Sequence, residues 1–235
     1  MISIEELREK SGLPGPRGNL ELLYQYVDDC SLESTVQCLA VIQDDTSNSP
    51  DEFVGMCGVA GFAVLIFGDQ EKLIVHLKKY ATHSSWRIRE SVAIAIQEIP
   101  AKSLEERIGI TSRMEDDDPL VCRAIIAGLC EPENLKDQRG IEHVYRHLVH
   151  ATRILETESK LTEGETALRK ALGYCWSVAL ADFFEEGKNY FEDLITNSNK
   201  NIRWIVSENL KKKRLARKNR EWVEEKIGQL SSSLN

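Results

Sequence analysis

Two tryptophan–glutamate pairs at helical spacing are the residues of this chain best suited to chemistry. Trp86 precedes Glu90 by four positions, and Trp204 precedes Glu208 by the same spacing. Side chains at i and i+4 share one face of a helix. An indole beside a carboxylate suits a planar cationic ligand, because the ring attracts the cation and the acid compensates its charge. The alternative for both pairs is structural, with the tryptophan packed between helices and the glutamate paired to an arginine.

A basic segment surrounds the second pair. Residues 200–220 hold nine Lys or Arg and one acid, a local charge of +8, whereas the whole chain carries −8. Such an asymmetry indicates an anionic partner, and an aromatic ring among cations can stack on a nucleic-acid base. The predicted contacts come from Arg203, Trp204, Lys211, Lys212 and Arg214. Nucleic-acid phosphate, membrane lipid and an acidic protein remain open as partners, and so does pairing with the chain's own acidic surface.

Other kinds of site receive little support from the sequence. None of the six cysteines forms a CxxC pair, and most lie in apolar helical contexts that predict buried, reduced thiols. His143, His147 and His150 can share a helical face, but three ligands along one straight helix make a poor zinc tetrahedron. No phosphate-loop spacing and no Gly-x-Ser-x-Gly signature occurs. We therefore predict neither a metal nor a cofactor.

Composition predicts a globular protein of one domain. The chain has 235 residues, of which 42% are hydrophobic and 29% are charged. Its longest apolar runs, such as VAGFAVLIF at 59–67, are too short to span a bilayer. The N-terminal sequence lacks the basic and apolar regions of a secretory signal. We therefore expect a cytoplasmic protein without a membrane span, while nothing indicates its oligomeric state.

The elements that must position these residues are predicted to be helices. Apolar residues recur at i, i+3, i+4 and i+7 in 71–81 and 89–99, and no hairpin signal appears, so we predict ten to twelve helices. An internal repeat is visible in Arg89, Arg123, Arg169 and Arg203, which are spaced by 34, 46 and 34 residues. A small residue follows each arginine by four positions. The longer interval predicts an extended helix around 136–158.

The repeating unit resembles the HEAT repeat over about residues 70–215. Its closest local match is Asp118-Pro119 followed by Val121 and Arg123. The strings SGLPGPRGNLEL, SWRIRESVAIAIQ, LRKALGYCWSVA and NIRWIVSENLKKKRL are similar to those of bacterial HEAT-repeat proteins without an assigned function. The resemblance implies an all-α, right-handed α–α superhelix in one domain, with the repeat arginines bonded to the turns between helices.

The resemblance also implies an order of parts along this superhelix. Residues 1–68 would form an N-terminal capping region, 69–215 the repeats, and 216–235 a C-terminal capping helix. The second helix of each repeat would line the concave side. Residues 201–214 would then be the last of these inner helices.

The combination of Trp204, Glu208 and basic residues is also similar to that of HEAT-like glycosylases, which remove alkylated bases from DNA. That resemblance implies a catalytic role for Glu208, which would stabilise positive charge developing on the sugar. Two hypotheses follow. The preferred one is a non-catalytic binding or scaffold protein that holds an anionic partner on its concave face and C-terminal basic patch. The alternative is DNA alkylation repair by base excision.

Overall fold

The structure is a computed structural model that describes residues 2–232, apart from Lys102 and Asp137, with side chains described as far as Leu230. These residues form fourteen α-helices and no strand, so the predicted all-α class is confirmed. The chain divides into two compact units, with the boundary between residues 102 and 103. The first unit contains α1 (Ile4–Glu9), α2 (Leu20–Asp29), α3 (Leu32–Ala40), α4 (Pro50–Leu65), α5 (Gln70–Ala81) and α6 (Trp86–Glu98).

The second unit contains the remaining eight helices and one 3₁₀ turn at Asn134–Lys136. The first four are α7 (Leu104–Met114), α8 (Pro119–Leu129), α9 (Ile141–Arg153) and α10 (Glu163–Asp182). The last four are α11 (Phe184–Ile195), α12 (Lys200–Leu210), α13 (Lys213–Lys218) and α14 (Arg220–Ser232). No described helix combines the length and the apolar character needed to cross a membrane.

Many of these helices begin where the sequence supplies a capping side chain. Ser85 accepts the backbone N–H of the third residue of α6, and Asp118 accepts two N–H groups at the start of α8. Pro119 occupies the first turn of α8, where its missing N–H removes no helical bond. Thr162 and Glu165 form a reciprocal capping box at the start of α10.

The first unit is built around α4. This helix is buried on nearly all sides and packs against α1, α2, α3, α5 and α6. Its Gly58 lets α3 approach closely, because a Cβ at this position would lie 2.8 Å from the backbone nitrogen of Leu39. From α5, the buried His76 places Nε2 2.9 Å from the carbonyl oxygen of Val59. An all-round apolar helix at the centre is what such burial requires.

A buried ion pair fixes the loops of the first unit. The Glu52 carboxylate accepts from Arg87 at 3.0 Å, from the Ser85 hydroxyl at 2.5 Å and from the backbone N–H of Asn48 at 2.7 Å. Arg87 also donates to the carbonyl oxygen of Gly15 at 2.7 Å. The segment 11–19 between α1 and α2 is thereby bonded to the start of α6.

The second unit has two layers of helices. One layer contains α7, α9 and α11, the other contains α8, α10 and α12, and neighbouring helices pack both within and between the layers. Trp176 of α10 lies at the centre, fully buried between Tyr145 and Phe191. Its indole N–H donates to the Thr152 hydroxyl at 3.1 Å, which supplies the hydrogen-bond partner that a buried indole usually has.

A buried asparagine joins the last two helices of the second layer. Asn209 of α12 is fully buried and accepts the backbone N–H of Ser177 at 2.8 Å. Its amide donates to the carbonyl oxygens of Leu172 at 2.7 Å and Ile205 at 2.8 Å. Because Ser177 and Leu172 belong to α10, this one side chain sets the register between α10 and α12.

The four repeat arginines all lie within the first two turns of α6, α8, α10 and α12. Arg89 bonds to the turn before its helix, as expected, with the carbonyl oxygens of His83 and Ser84 both at 2.7 Å. Arg169 instead donates to Asn201 of the neighbouring helix at 3.0 Å. The arginines therefore share a place in their helices, although Arg89 and Arg169 differ in their contacts.

Three predicted helix boundaries are wrong. The extended helix around 136–158 is only Ile141–Arg153, and its residue 137 lies outside the described residues; irregular chain on both sides accounts for the longer repeat interval. The inner helix 201–214 ends at Leu210, because Lys212 has extended backbone angles and is the N-cap of α13. The capping helix 216–235 is two helices over its described part, with residues 233–235 outside that part.

Candidate nucleic-acid interface

A break after α12 divides the predicted helix 201–214 into two helices. Lys211 and Lys212 form the connection, and Lys213 begins the six-residue helix α13. Leu215 is the buried residue of α13 and fixes it to α10. Apart from Ala216, the other residues of this short helix are all Lys or Arg.

The edge of the Trp204 indole packs against α10. A Cβ at Gly173 would lie 3.0 Å from the indole ring, so the small residue of the repeat makes room for the tryptophan. The Arg169 guanidinium is 4.8 Å from the ring centroid, a cation–π contact on one face. The ring is partly exposed on α12. Trp204 therefore packs against α10 and still keeps part of its ring accessible.

Glu208 does not present a free carboxylate beside Trp204. The Lys211 ammonium lies 2.7 Å from one carboxylate oxygen, and Lys212 lies 3.9 Å from the other. The hydrogen bond from Lys211 lowers the pKa of the Glu208 carboxyl below its usual range, although desolvation opposes this. Glu208 is therefore ionised at neutral pH, with two ammonium groups compensating its charge.

Helix α14 is anchored beside α12 by an aromatic side chain. Trp222 packs edge-on against Phe184 at 5.1 Å between centroids, and its indole N–H donates to Glu192 at 2.8 Å. Lys226 lies 3.0 Å from the same carboxylate. Both bonds connect α14 to α11, so α14 is held firmly enough to form the wall of a groove.

Two grooves run along α14. The first, which we call the Trp204 groove, has a volume of about 440 Å³ and lies between α12 and α14. Its cations are Lys200, Arg203 and Lys211, and Leu210 and Ile227 are among its apolar residues. The second, the α13 groove, has a volume of about 510 Å³ and contains Lys213, Arg217 and Arg220. Leu210 and Ile227 line both grooves, so the grooves adjoin.

The cations of this surface differ in whether they have partners. Lys218 lies 2.5 Å from Asp182, and Arg220 lies 2.8 Å from Glu224. Lys213, Arg214 and Arg217 are exposed and make no salt bridge within the described part of the chain. These three side chains all belong to α13, which therefore carries positive charge that no salt bridge of the described residues offsets.

The predicted site residues thus fall into separate groups. Arg203, Trp204 and Lys211 line the Trp204 groove, whereas Lys212 and Glu208 lie in an ion-pair cluster at its margin and Arg214 is on α13. Sequence reasoning did not select Lys213, Arg217 or Ile227. Lys213 and Arg217 were visible as part of the basic run, but which of its members lack partners depends on the fold.

Trp86 and Glu90 belong to the first unit and share α6 there. Trp86 is 54% exposed, and the guanidinium of the buried Arg87 lies 4.5 Å from its ring centroid. Glu90 is partly exposed. Trp86 and Glu90 lie on one helix, as predicted, but the Arg87 guanidinium already lies over the Trp86 ring.

The histidine face of α9 is occupied by polar partners. Nδ1 of the buried His147 contacts Glu115, Nε2 lies 3.4 Å from the Ser112 hydroxyl, and Nε2 of His150 lies 3.3 Å from the carbonyl oxygen of Asp116. A serine beside a histidine can act as a nucleophile, but Ser112 lies in the last turn of α7. Helix carbonyl groups point outward there, and such an environment does not stabilise the oxyanion of an acyl-transfer reaction. No metal-binding cluster occurs among the described residues.

Comparison with known proteins gives no relative for this chain. No family model matches it, and no curated protein and no solved structure matches it either.

Proposed function

We propose that this chain is a non-catalytic nucleic-acid-binding protein, built of HEAT-like helix pairs, that holds backbone phosphates on α13. The observation that carries the proposal is the set of exposed cations Lys213, Arg214 and Arg217, which form no salt bridge with any residue that the structure describes. The two-layer packing of α7–α12 supports the repeat architecture. The two grooves along α14 supply further cations and an aromatic ring.

Charge elsewhere in the molecule favours this place for an anion. Outside residues 200–220 the chain holds 21 basic and 37 acidic residues, a net charge of −16. A polyanion is repelled by such a surface and attracted to a local excess of cations, so the field directs it to α13. Each phosphate contact also releases counterions, which makes the affinity dependent on salt.

The surroundings of Glu208 favour binding over base excision. A carboxylate that stabilises a developing cation acts best when its own charge is not already compensated. Here Lys211 bonds directly to Glu208 and Lys212 is close by. We therefore expect no release of methylated purines from alkylated DNA. Release that is abolished by Glu208→Gln in a folded protein would make the excision hypothesis the better one.

The binding proposal is tested with Lys213, Arg214 and Arg217 replaced together by alanine. Affinity for labelled duplex and single-stranded DNA is measured by fluorescence polarisation over a series of salt concentrations. The slope of log affinity against log salt should flatten by up to about 0.9 per lost contact on duplex and about 0.7 on single strands.

A matched control removes the same charges elsewhere. Arg17, Arg153 and Lys160 are exposed and form no salt bridge in the described part of the chain, and their replacement by alanine also removes two arginines and one lysine. This control variant should keep the wild-type slope. Absence of binding at low salt, or equal losses in the two variants, would refute the proposal that α13 is the phosphate-binding element.

A further inference from the structure

The Trp204 groove combines a ring, cations and apolar walls in one place. Trp204 borders it, Lys200 and Arg203 supply positive charge, and its described lining residues include no acid. Lys211 also lines it but is paired with Glu208 at its margin. Its volume of about 440 Å³ is within the range of pockets that hold small ligands. A nucleotide, which joins a flat base to an anionic phosphate, matches this lining better than an aliphatic or a cationic ligand.

The geometry of the Trp204 ring restricts how such a ligand can bind. Arg169 covers one face of the ring at 4.8 Å, and α10 lies against its edge at Gly173. A flat ligand that stacks on this ring must therefore use the face opposite Arg169. Base–aromatic stacking tolerates any base, because every base has a π face.

The position of the groove connects it to the phosphate-binding helix. Leu210 and Ile227 line both the Trp204 groove and the α13 groove, and the latter contains Lys213 and Arg217 of α13. Ile227 is 44% exposed at this junction. A strand with its phosphates on α13 can therefore place a neighbouring base in the Trp204 groove.

We propose that the Trp204 groove holds one unpaired base of the strand whose phosphates contact α13, so that the protein prefers single-stranded to duplex nucleic acid. This inference rests on the proposed function, because it needs α13 to hold the backbone. In a duplex the bases are stacked on their neighbours and paired, so none can enter the groove without unpairing. The apolar residues at the junction shield the inserted base from water.

The test compares one labelled oligonucleotide, single-stranded and as its duplex, at a single low salt concentration. Trp204→Ala should weaken single-strand binding about 5- to 150-fold, the loss expected for one stacked base, and leave duplex binding nearly unchanged. Trp204→Phe keeps a ring and should recover most of the affinity. Val75→Ala removes part of another exposed apolar side chain, in the first unit, and should change neither affinity.

A second variant keeps the test valid if Trp204→Ala fails to fold. Ser207 lines the groove and is partly exposed, so Ser207→Leu fills the groove without altering charge or removing the ring. It should weaken single-strand binding alone. Circular dichroism and thermal melting confirm that each variant is folded.

The outcomes separate the two proposals. If no nucleic acid binds, the proposed function itself fails. The groove proposal fails if Trp204→Ala and Ser207→Leu weaken single-strand and duplex binding equally, or leave both unchanged. If the α13 triple variant still loses binding in that case, the phosphate proposal stands. A selective loss for single strands in both groove variants supports the base-binding groove.

Discussion

Replacement of Asn209 by alanine should destabilise the second unit by about 2–4 kcal/mol. The side chain is fully buried and joins α12 to α10 through Ser177 and Leu172, with bonds of 2.8 and 2.7 Å. Each net hydrogen bond contributes about 1 kcal/mol, and the cavity left by the amide adds to the loss. Re-formation of helical bonds within α10 by the freed groups limits the total.

The assay is urea denaturation followed by tryptophan fluorescence in a Trp86→Phe background. Trp86 is the tryptophan of the first unit, so the remaining three, Trp176, Trp204 and Trp222, report the second unit alone. Asn189→Ala is the control, because Asn189 is an exposed asparagine of α11 and its loss should change stability by less than about 0.5 kcal/mol.

Asn209→Asp sharpens the same prediction. Aspartate retains an oxygen for the Ser177 N–H but places a buried carboxylate against the carbonyl oxygens of Leu172 and Ile205. Burial and these acceptors should raise the folded-state pKa of the new carboxyl. Stability should therefore be greater at pH 4 than at pH 7 relative to wild type. Equal stabilities of Asn209→Ala and Asn189→Ala would refute the assigned role of the buried amide.

Two further predictions concern the first unit. Arg87→Met should destabilise it by about 3–5 kcal/mol, because Glu52 is left as a buried charge, and adding Glu52→Gln should recover much of that loss in a denaturation experiment. Burial lowers the pKa of His76 to about 4 from an ordinary value near 6.5. The unfolded chain then binds the extra proton between these pH values, so stability should fall by roughly 3 kcal/mol as pH drops from 6.5 to 4. His76→Gln should remove that contribution; an unchanged pH dependence would exclude His76 as its source.

Helix existence was predictable because the local signals agree with the packing. The apolar stripe of α5 and the Ser85 and Asp118 caps lie in the sequence where the structure uses them. The break after Leu210 was not predictable in the same way. Lys211, Lys212 and Lys213 are good helix formers without an intervening Gly or Pro, so intrinsic propensity favours continuation and tertiary packing decides otherwise.

The candidate site was predictable as a charge pattern but not as a geometry. Glu208 stands three and four positions before Lys211 and Lys212, which is the spacing of intrahelical ion pairs. The pairing of its charge with these lysines was therefore predictable from the sequence. The groove formed by α12 and α14 was not, because it depends on Trp222 bonding to Glu192 of α11. Contacts between residues so far apart in sequence have no local signal.

The main alternative for the basic run is that it offsets acidic charge within the protein. That interpretation predicts ion pairs from its members onto acids, and Lys218 does pair with Asp182. Arg214 acts on Glu131 from a distance, but burial still raises the pKa of that carboxyl overall. Lys213 and Arg217 form no salt bridge among the described residues. An intramolecular role therefore accounts for part of the run, and the cations of α13 remain in excess for a phosphate backbone to contact.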